Sequence, residues 1–384
     1  MSHFFLLTGS APGFSGPVTV LSRMRPMIDR RGFLGSVSSA SLLAAFPAGL
    51  KETLVRADKG PLPTLRPKAL RKGMTIGLVA PASPSSDTEN LKVAEEVVRS
   101  LGFTPKAMPN AARATMYLAG TDQERAADVN AAFADPSVDA VWCLRGGYGS
   151  PRVLPYLDYE SIRKNPKAFI GYSDITAPLN AIHRMTGLVT FHGPNGADNQ
   201  TEFTLSEFKK VLFEARAAGV VAAPPPPVPR EAFAEREHRL RRLAPGKAKG
   251  PLVGGNISVF ATLVGTPFEP DLKGKILFLE EVGEEPYRID RWLTHFLLTG
   301  KLQSLAGIVL GRFHDCGPRD FHPSFNGTWT WQEVCENRLG SLGIPVLAGL
   351  RFGHVADKAT LPIGVTAELD VEAGTLTLLE PAVS

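Results

Sequence analysis

Three cysteines in 384 residues, Cys143, Cys316 and Cys335, are too few and too scattered for a disulfide framework. None has a Cys-x-x-Cys neighbour, and His314 beside Cys316 lacks the second close pair that would complete a metal site. No Cys/His spacing asks for a metal, and no organic cofactor is expected. Charge of one sign is also scarce: 42 Lys and Arg against 38 Asp and Glu leave a formal net charge of +4. No basic cluster interleaves with aromatics, which argues against a nucleic-acid partner. No apolar run is long enough to hold as a membrane span, because Gly35 to Leu50 is interrupted by Ser36, Ser38, Ser39, Ser41 and Pro47. No internal repeat is visible, which sets aside repeat architectures. With 43% apolar residues the chain is not disordered and has length for two domains.

The first 57 residues read as an address rather than as fold. Asp29-Arg30-Arg31-Gly32-Phe33-Leu34 ahead of a modest run of small and apolar residues resembles a twin-arginine export signal. Val55-Arg56-Ala57 offers a small-x-small cleavage point, with an earlier one near Ala48, and Met24 or Met27 would give a signal of ordinary length. The expectation is an exported protein, periplasmic or otherwise extracytoplasmic, without a stable membrane span.

From Gly73 onward strands and helices alternate, the pattern of an α/β domain with a mainly parallel sheet. Residues 68–216 form this first domain. Thr75 to Ala80 is its first strand, Thr88 to Leu101 a helix, and Asp122 to Phe133 another, with Asp122, Glu124, Arg125 and Asp128 facing outward. The strand Ala140 to Leu144 runs into Arg145-Gly146-Gly147-Tyr148-Gly149-Ser150, a glycine-rich loop at the carboxyl end, where open α/β sheets form their ligand crevice. The third glycine of a dinucleotide fingerprint is missing, so the loop reads as a tight turn whose N–H groups can approach a carbonyl. Residues 217–249 are rich in proline and charge and read as an extended spacer with a solvated helix. Residues 250–384 read as a mixed α+β domain, with a strand Lys275 to Glu280 and a helix Pro286 to Leu298.

The chemistry centres on Phe169-Ile170-Gly171-Tyr172-Ser173-Asp174-Ile175-Thr176, a strand-to-helix turn bearing a serine. Such a turn exposes a hydroxyl beside the free N–H groups of a helix start, although Ile175 stands where a nucleophile elbow has its second glycine. A plainer reading is that Ser173 and Asp174 cap the helix. A serine nucleophile needs a base and the base needs an acid. His354, after Gly353 and a strand-like segment, ranks first as base. His192 in Phe191-His192-Gly193-Pro194 is its rival but suits a turn, His183 points away from the elbow, and His295 lies on a helix. Glu280, at the end of the apolar run Ile276 to Leu279, needs a partner because an unpaired buried charge is costly. Strand alternation lets only one of Glu280 and Glu281 face a given site, and the residues alone do not choose the side. Glu281, Glu284 and Glu285 read as solvated loop acids.

Arg145-Gly146-Gly147-Tyr148-Gly149, Gly171-Tyr172-Ser173-Asp174, Gly254-Gly255-Asn256, Ile276 to Glu281 with Tyr287-Arg288-Ile289-Asp290-Arg291, and Gly353-His354 occur in the order seen in LD-carboxypeptidases. The chain resembles that family from about Arg71 to its C-terminus. The resemblance implies an N-terminal α/β domain carrying the nucleophile and a C-terminal swivelling β-barrel-like domain carrying acid and base. It implies Ser173 as nucleophile, Glu280 as acid and His354 as base, with the N–H groups of Gly147 and Asp174 meeting the oxyanion. The implied activity is serine carboxypeptidase hydrolysis of an L,D bond, releasing terminal D-alanine from a muropeptide or peptidoglycan stem peptide. Related members cleave peptide-nucleotide antibiotics instead, and a non-catalytic wall-peptide binder is a third reading. A homodimer is also implied. Arg145, Arg288 and Arg291 are candidates to hold the substrate carboxylate.

Overall fold

Buried apolar strands alternating with capped helices build the first layer. The computed structural model describes residues 62–85, 88–224 and 239–384, so the export segment 1–57 and residues 225–238 of the spacer lie outside it. β1 (Thr75–Val79) is followed by α1 (Thr88–Ser100), β2 (Thr104–Ala107), α2 (Asp122–Ala134), β3 (Ala140–Cys143), α3 (Tyr159–Lys164), β4 (Ala168–Gly171), α4 (Thr176–Thr186), β5 (Thr190–His192) and α5 (Glu202–Leu212). β3 and β4 are buried at every position, as strands of a parallel sheet covered on both faces must be. α2 starts where it does because Thr121 and Glu124 form a reciprocal capping box.

The chain then runs through β6 (Gly219–Val221), β7 (Arg241–Ala244), β8 (Lys247–Asn256), α6 (Ile257–Ala261), β9 (Ile276–Val282), α7 (Pro286–Leu298), β10 (Gly307–His314), α8 (Trp331–Leu339), β11 (Val346–Ala348), β12 (Leu361–Ile363), β13 (Thr366–Asp370) and β14 (Thr375–Leu378). The described strands form two sheets. The first has the order β12-β5-β4-β3-β1-β2, parallel except where β12 meets β5. The second, β6-β14-β13-β8-β9-β10-β11-β7, keeps β8 to β11 parallel between antiparallel flanks and curls as a half-barrel.

Three expectations change. Residues 217–249, read as a spacer, contain β6, β7 and the start of β8. The sequence there lacks apolar alternation, but β6 and β7 are short edge strands whose register comes from β14 and β11. β12 lies within the stretch assigned to the second domain yet completes the first sheet, pairing Leu361 with His192. On α2, Arg125 and Asp128 face inward, 1% and 3% exposed. Arg125 Nη1 donates to the carbonyls of Pro81 and Gly149, and Asp128 accepts from the backbone and side-chain amide of Asn110 at 2.8 Å each. Loops cover this polar face, and only tertiary structure could reveal that.

The two sheets meet along α4 and the end of β8. Asn180 Nδ2 donates to the Gly254 carbonyl at 2.8 Å, and the Asn256 N–H donates to Thr176 Oγ1 at 2.9 Å. A Cβ on Gly255 would lie 2.4 Å from that same Oγ1, so only glycine lets β8 come this close. One hydrophobic core runs through both sheets, from Val141 and Ile170 to Phe278, Val309 and Leu347.

Candidate active site

Ser173 sits where β4 stops and α4 has not yet begun. Its φ of +64 is left-handed, a conformation that costs a non-glycine residue about 1–3 kcal/mol and that concentrates at functional turns. α4 starts without a side-chain cap at Ile175, and Ser173 Oγ faces His354 while the Asp174 carboxylate takes the Ser150 N–H, so neither caps the helix as the plainer reading had it. Ile175, in the place of the second elbow glycine, has helical φ and needs no glycine. Gly171 is constrained instead: a Cβ there would lie 2.9 Å from Ile175 Cγ2 and 3.1 Å from Cys143 Cβ.

The glycine loop presses against this turn. A Cβ on Gly146 would lie 2.7 Å from Ser173 Cβ and 2.9 Å from its Oγ, so any side chain would displace the hydroxyl. Gly147 follows at φ +108, and a Cβ there would strike Ser83 Oγ at 2.4 Å. Ser83 pins the loop by accepting the Tyr148 N–H at 3.0 Å. Asp174 pins it from the other side. Its carboxylate accepts the Ser150 N–H at 2.6 Å, and its carbonyl accepts the Ser150 hydroxyl. Burial raises the Asp174 pKa, opposed by those bonds from Ser150. The Asp174 N–H lies in the first turn of the helical segment, where donors have no intrahelical acceptor. Gly146, Arg125 and the Asp174 carboxylate escaped the sequence reading because their contacts are distant in sequence; the doubled glycine alone hinted at the first.

The other two predicted residues come to the same point. His354 Nε2 lies 3.0 Å from Ser173 Oγ, and His354 Nδ1 lies 2.7 Å from Glu280 Oε2. Glu280 Oε2 also accepts the His354 backbone N–H at 3.2 Å. Gly353, at φ +94, makes room for this contact, since a Cβ there would lie 2.5 Å from Glu280 Oε2. Glu280 is fully buried near the end of β9; burial would raise its pKa, but His354, and His192 beside it, pull it well below the ordinary carboxylate range. For His354, burial favours the neutral ring, but the Glu280 charge and hydrogen bond outweigh it and raise the pKa above the usual histidine value. The Tyr172 ring packs on His354 at 4.9 Å, and Lys358 lies 4.9 Å over the Tyr172 ring while pairing with Asp198 at 3.2 Å.

Glu281 and Glu285 are not solvated: they are 1% and 4% exposed. Glu281 accepts the Asn256 amide at 2.7 Å and the backbone N–H groups of Ser258 and Val282 at 3.0 and 2.8 Å. Burial, helped by the Glu280 charge, lifts its pKa to about 7. Glu285 accepts the Ser324 hydroxyl at 2.6 Å. His192, expected in a turn, is a buried strand residue. His183 bonds the Leu188 carbonyl at 3.0 Å, and burial lowers its pKa to about 4. Arg145 bonds the Pro84 carbonyl at 3.1 Å, Arg288 pairs with Glu284, and Arg291 stacks on Tyr287 at 5.2 Å. These contacts point to no one of them as a carboxylate clamp.

A hydroxyl, an imidazole and a buried carboxylate stand in hydrogen-bonded series, an arrangement in which an imidazole can activate a serine for acyl transfer. Residues 76–193 match the family model of the LD-carboxypeptidase N-terminal domain, and residues 249–369 match that of the C-terminal domain. The chain belongs to the LD-carboxypeptidase family of peptidases. It is 40% identical over 324 residues to a probable murein peptide carboxypeptidase of Bacillus subtilis (strain 168), covering 83% of this chain and 95% of that one. It is 28% identical over 337 residues to the microcin C7 self-immunity protein MccF of Escherichia coli, covering 82% of this chain and 96% of that one. Its fold matches a solved structure of MccF with TM-score 0.74 at 26% identity, covering 83% of this chain and all of that one. It also matches muramoyltetrapeptide carboxypeptidase from Oxalobacter formigenes with TM-score 0.66 at 31% identity, covering 79% and 98%.

Proposed function

We propose that the chain is a serine carboxypeptidase that hydrolyses the L,D bond before a terminal D-alanine in peptidoglycan tetrapeptides. The observation that carries this reading is His354, whose two ring nitrogens reach Ser173 and Glu280 at 3.0 and 2.7 Å. His354 Nε2 takes the Ser173 proton as Oγ attacks the carbonyl of the penultimate residue. The oxyanion that forms is met by the N–H groups of Gly147 and Asp174. His354 returns the proton to the nitrogen of the departing D-amino acid, and Glu280 keeps the imidazole oriented and stabilises its charged form. Water then cleaves the acyl-enzyme by the same relay.

The 40% identity to a protein named for murein peptides supports the wall substrate. The reading that the enzyme acts on peptide-nucleotide antibiotics is supported by the fold match to MccF. Incubation with tetrapeptides carrying diaminopimelate or lysine at the third position, beside an aspartyl-nucleotide conjugate, separates the two. Loss of one alanine by mass is expected; cleavage of the conjugate alone would overturn the wall reading. Export by the twin-arginine route belongs to the same proposal. It is tested by fractionating cells that express the chain with Arg30→Lys and Arg31→Lys, which should retain it in the cytoplasm.

A further inference from the structure

His192 stands beside the relay without belonging to it. It ends β5, is 1% exposed, and sits among the rings of Tyr172, Phe278 and Phe352 at 6.0, 5.3 and 6.4 Å. Neither of its ring nitrogens has a hydrogen-bond partner among the described residues, and neither does Glu280 Oε1. These unpaired atoms face one another, His192 Nε2 lying 3.8 Å from Oε1. Buried polar atoms are nearly always paired, and an ionised carboxylate has two oxygens that accept. Oε2 is taken by His354; Oε1 faces His192.

We propose that His192 is a positioning residue of the relay, donating Nε2–H to Glu280 Oε1 so that Oε2 stays aligned on His354 Nδ1. The proposal rests on the Ser173–His354–Glu280 reading above. Bringing 3.8 Å to hydrogen-bond length takes a shift of about 1 Å, which rotation of the unpaired His192 ring about its broad terminal torsion supplies without moving Oε2. The backbone fixes the donor's origin: His192 is in register with Gly171 of β4 on one side and Leu361 of β12 on the other. β12 thus has a role in the site, holding β5 at the depth that sets His192 under the carboxylate. The other titratable groups acting on the Glu280–His354 pair are Glu281, Asp198, Tyr172 and Cys316. None of them stands against Oε1 as His192 does.

Two variants and one measurement test this. His192→Gln keeps an N–H donor, whereas His192→Phe keeps a ring without one. The Phe variant is expected to lose about tenfold to a hundredfold in kcat with KM unchanged. Without the donor the Glu280–His354 pair binds its first proton more readily, so the acid limb of kcat/KM moves to higher pH. His192→Gln restores most of the rate and the wild-type limb. Equal activity and equal pH profiles for Phe and Gln would overturn the proposal. Nitrogen-15 NMR of the histidines in the folded wild-type protein decides the matter if the Phe variant does not fold. A proton on His192 Nε2 is expected, and an unprotonated Nε2 would overturn the assignment. That readout needs no turnover, so a wild-type protein that released no D-alanine would refute the proposed function and leave this test standing.

Discussion

Replacing Glu280 with glutamine removes a charge while leaving an acceptor in its place. Glu280 is fully buried and its Oε2 accepts from His354 twice, at 2.7 Å from Nδ1 and 3.2 Å from the backbone. A glutamine oxygen can take both bonds, with its NH2 turned to His192, whose ring accepts it in the other tautomer, so the His354 orientation survives and the loss is electrostatic. Unit charges about 4 Å apart interact by about 4 kcal/mol at an effective dielectric near 20, and every ~1.4 kcal/mol is tenfold in rate. The imidazolium of the transition state therefore loses stabilisation equal to about 10³ in kcat. A mis-set tautomer would extend this to about 10⁴. KM should change little, since Glu280 is buried behind His354. The pH profile supplies an independent sign. Burial favours neutral His354 and the Glu280 charge outweighs it, so removing the charge lowers the histidine pKa and shifts the acid limb of kcat/KM to lower pH. D-alanine release from a tetrapeptide, followed by mass across pH, measures both effects, with circular dichroism as the folding control. A Glu280→Gln enzyme within tenfold of wild type, or with its acid limb unmoved, would refute the reasoning.

Gly146→Ala should abolish measurable turnover in a folded protein, because the new Cβ would lie 2.7 Å from Ser173 Cβ; thermal melting and D-alanine release separate the two effects. Glu281 makes stability pH-dependent. Its folded pKa is about 7 against 4.5 for the free group, so between those values the native state binds more protons and stability falls as pH rises. Integrated over the window this is on the order of 3 kcal/mol. Urea melts of wild type and Glu281→Gln at both ends of the window should show the slope flattened in the variant. Glu280 contributes the opposite slope below its free value, where its depressed pKa means stability is lost as pH falls. Burial raises the pKa of all three thiols, so Cys143, Cys316 and Cys335 should resist a thiol reagent in the native protein and react together in denaturant.

Elements governed by local pattern were legible in the sequence. The helix Pro286–Leu298 has the bounds that its proline start and helical spacing give, and the strand–turn–helix around Ser173 is visible as apolar run, glycine and polar turn. What escaped depends on contacts between distant segments. Alternation tells that Glu280 and Glu281 point opposite ways, but the pairing of Asn256 with Glu280 across β8 and β9 decides which is which. Arg125 looks like a surface residue of an amphipathic helix until the Pro81 and Gly149 carbonyls are brought to it. β12 is three residues long, and nothing in Leu361-Pro362-Ile363 announces that it leaves one sheet for the other. The positions of Ser173, Glu280 and His354 emerged from turn chemistry, burial cost and glycine flanks together with the ordered family blocks. Their hydrogen-bonded geometry required the structure.

The most direct test of the central claim is release of D-alanine from a defined muropeptide tetrapeptide by purified wild-type protein and by Ser173→Ala. That substitution leaves His354 and Glu280 in place and removes only the oxygen proposed to attack. Loss of one alanine by mass with wild type, and none above the uncatalysed background with the variant, is the predicted result. Equal release by the two proteins would contradict Ser173 as the nucleophile.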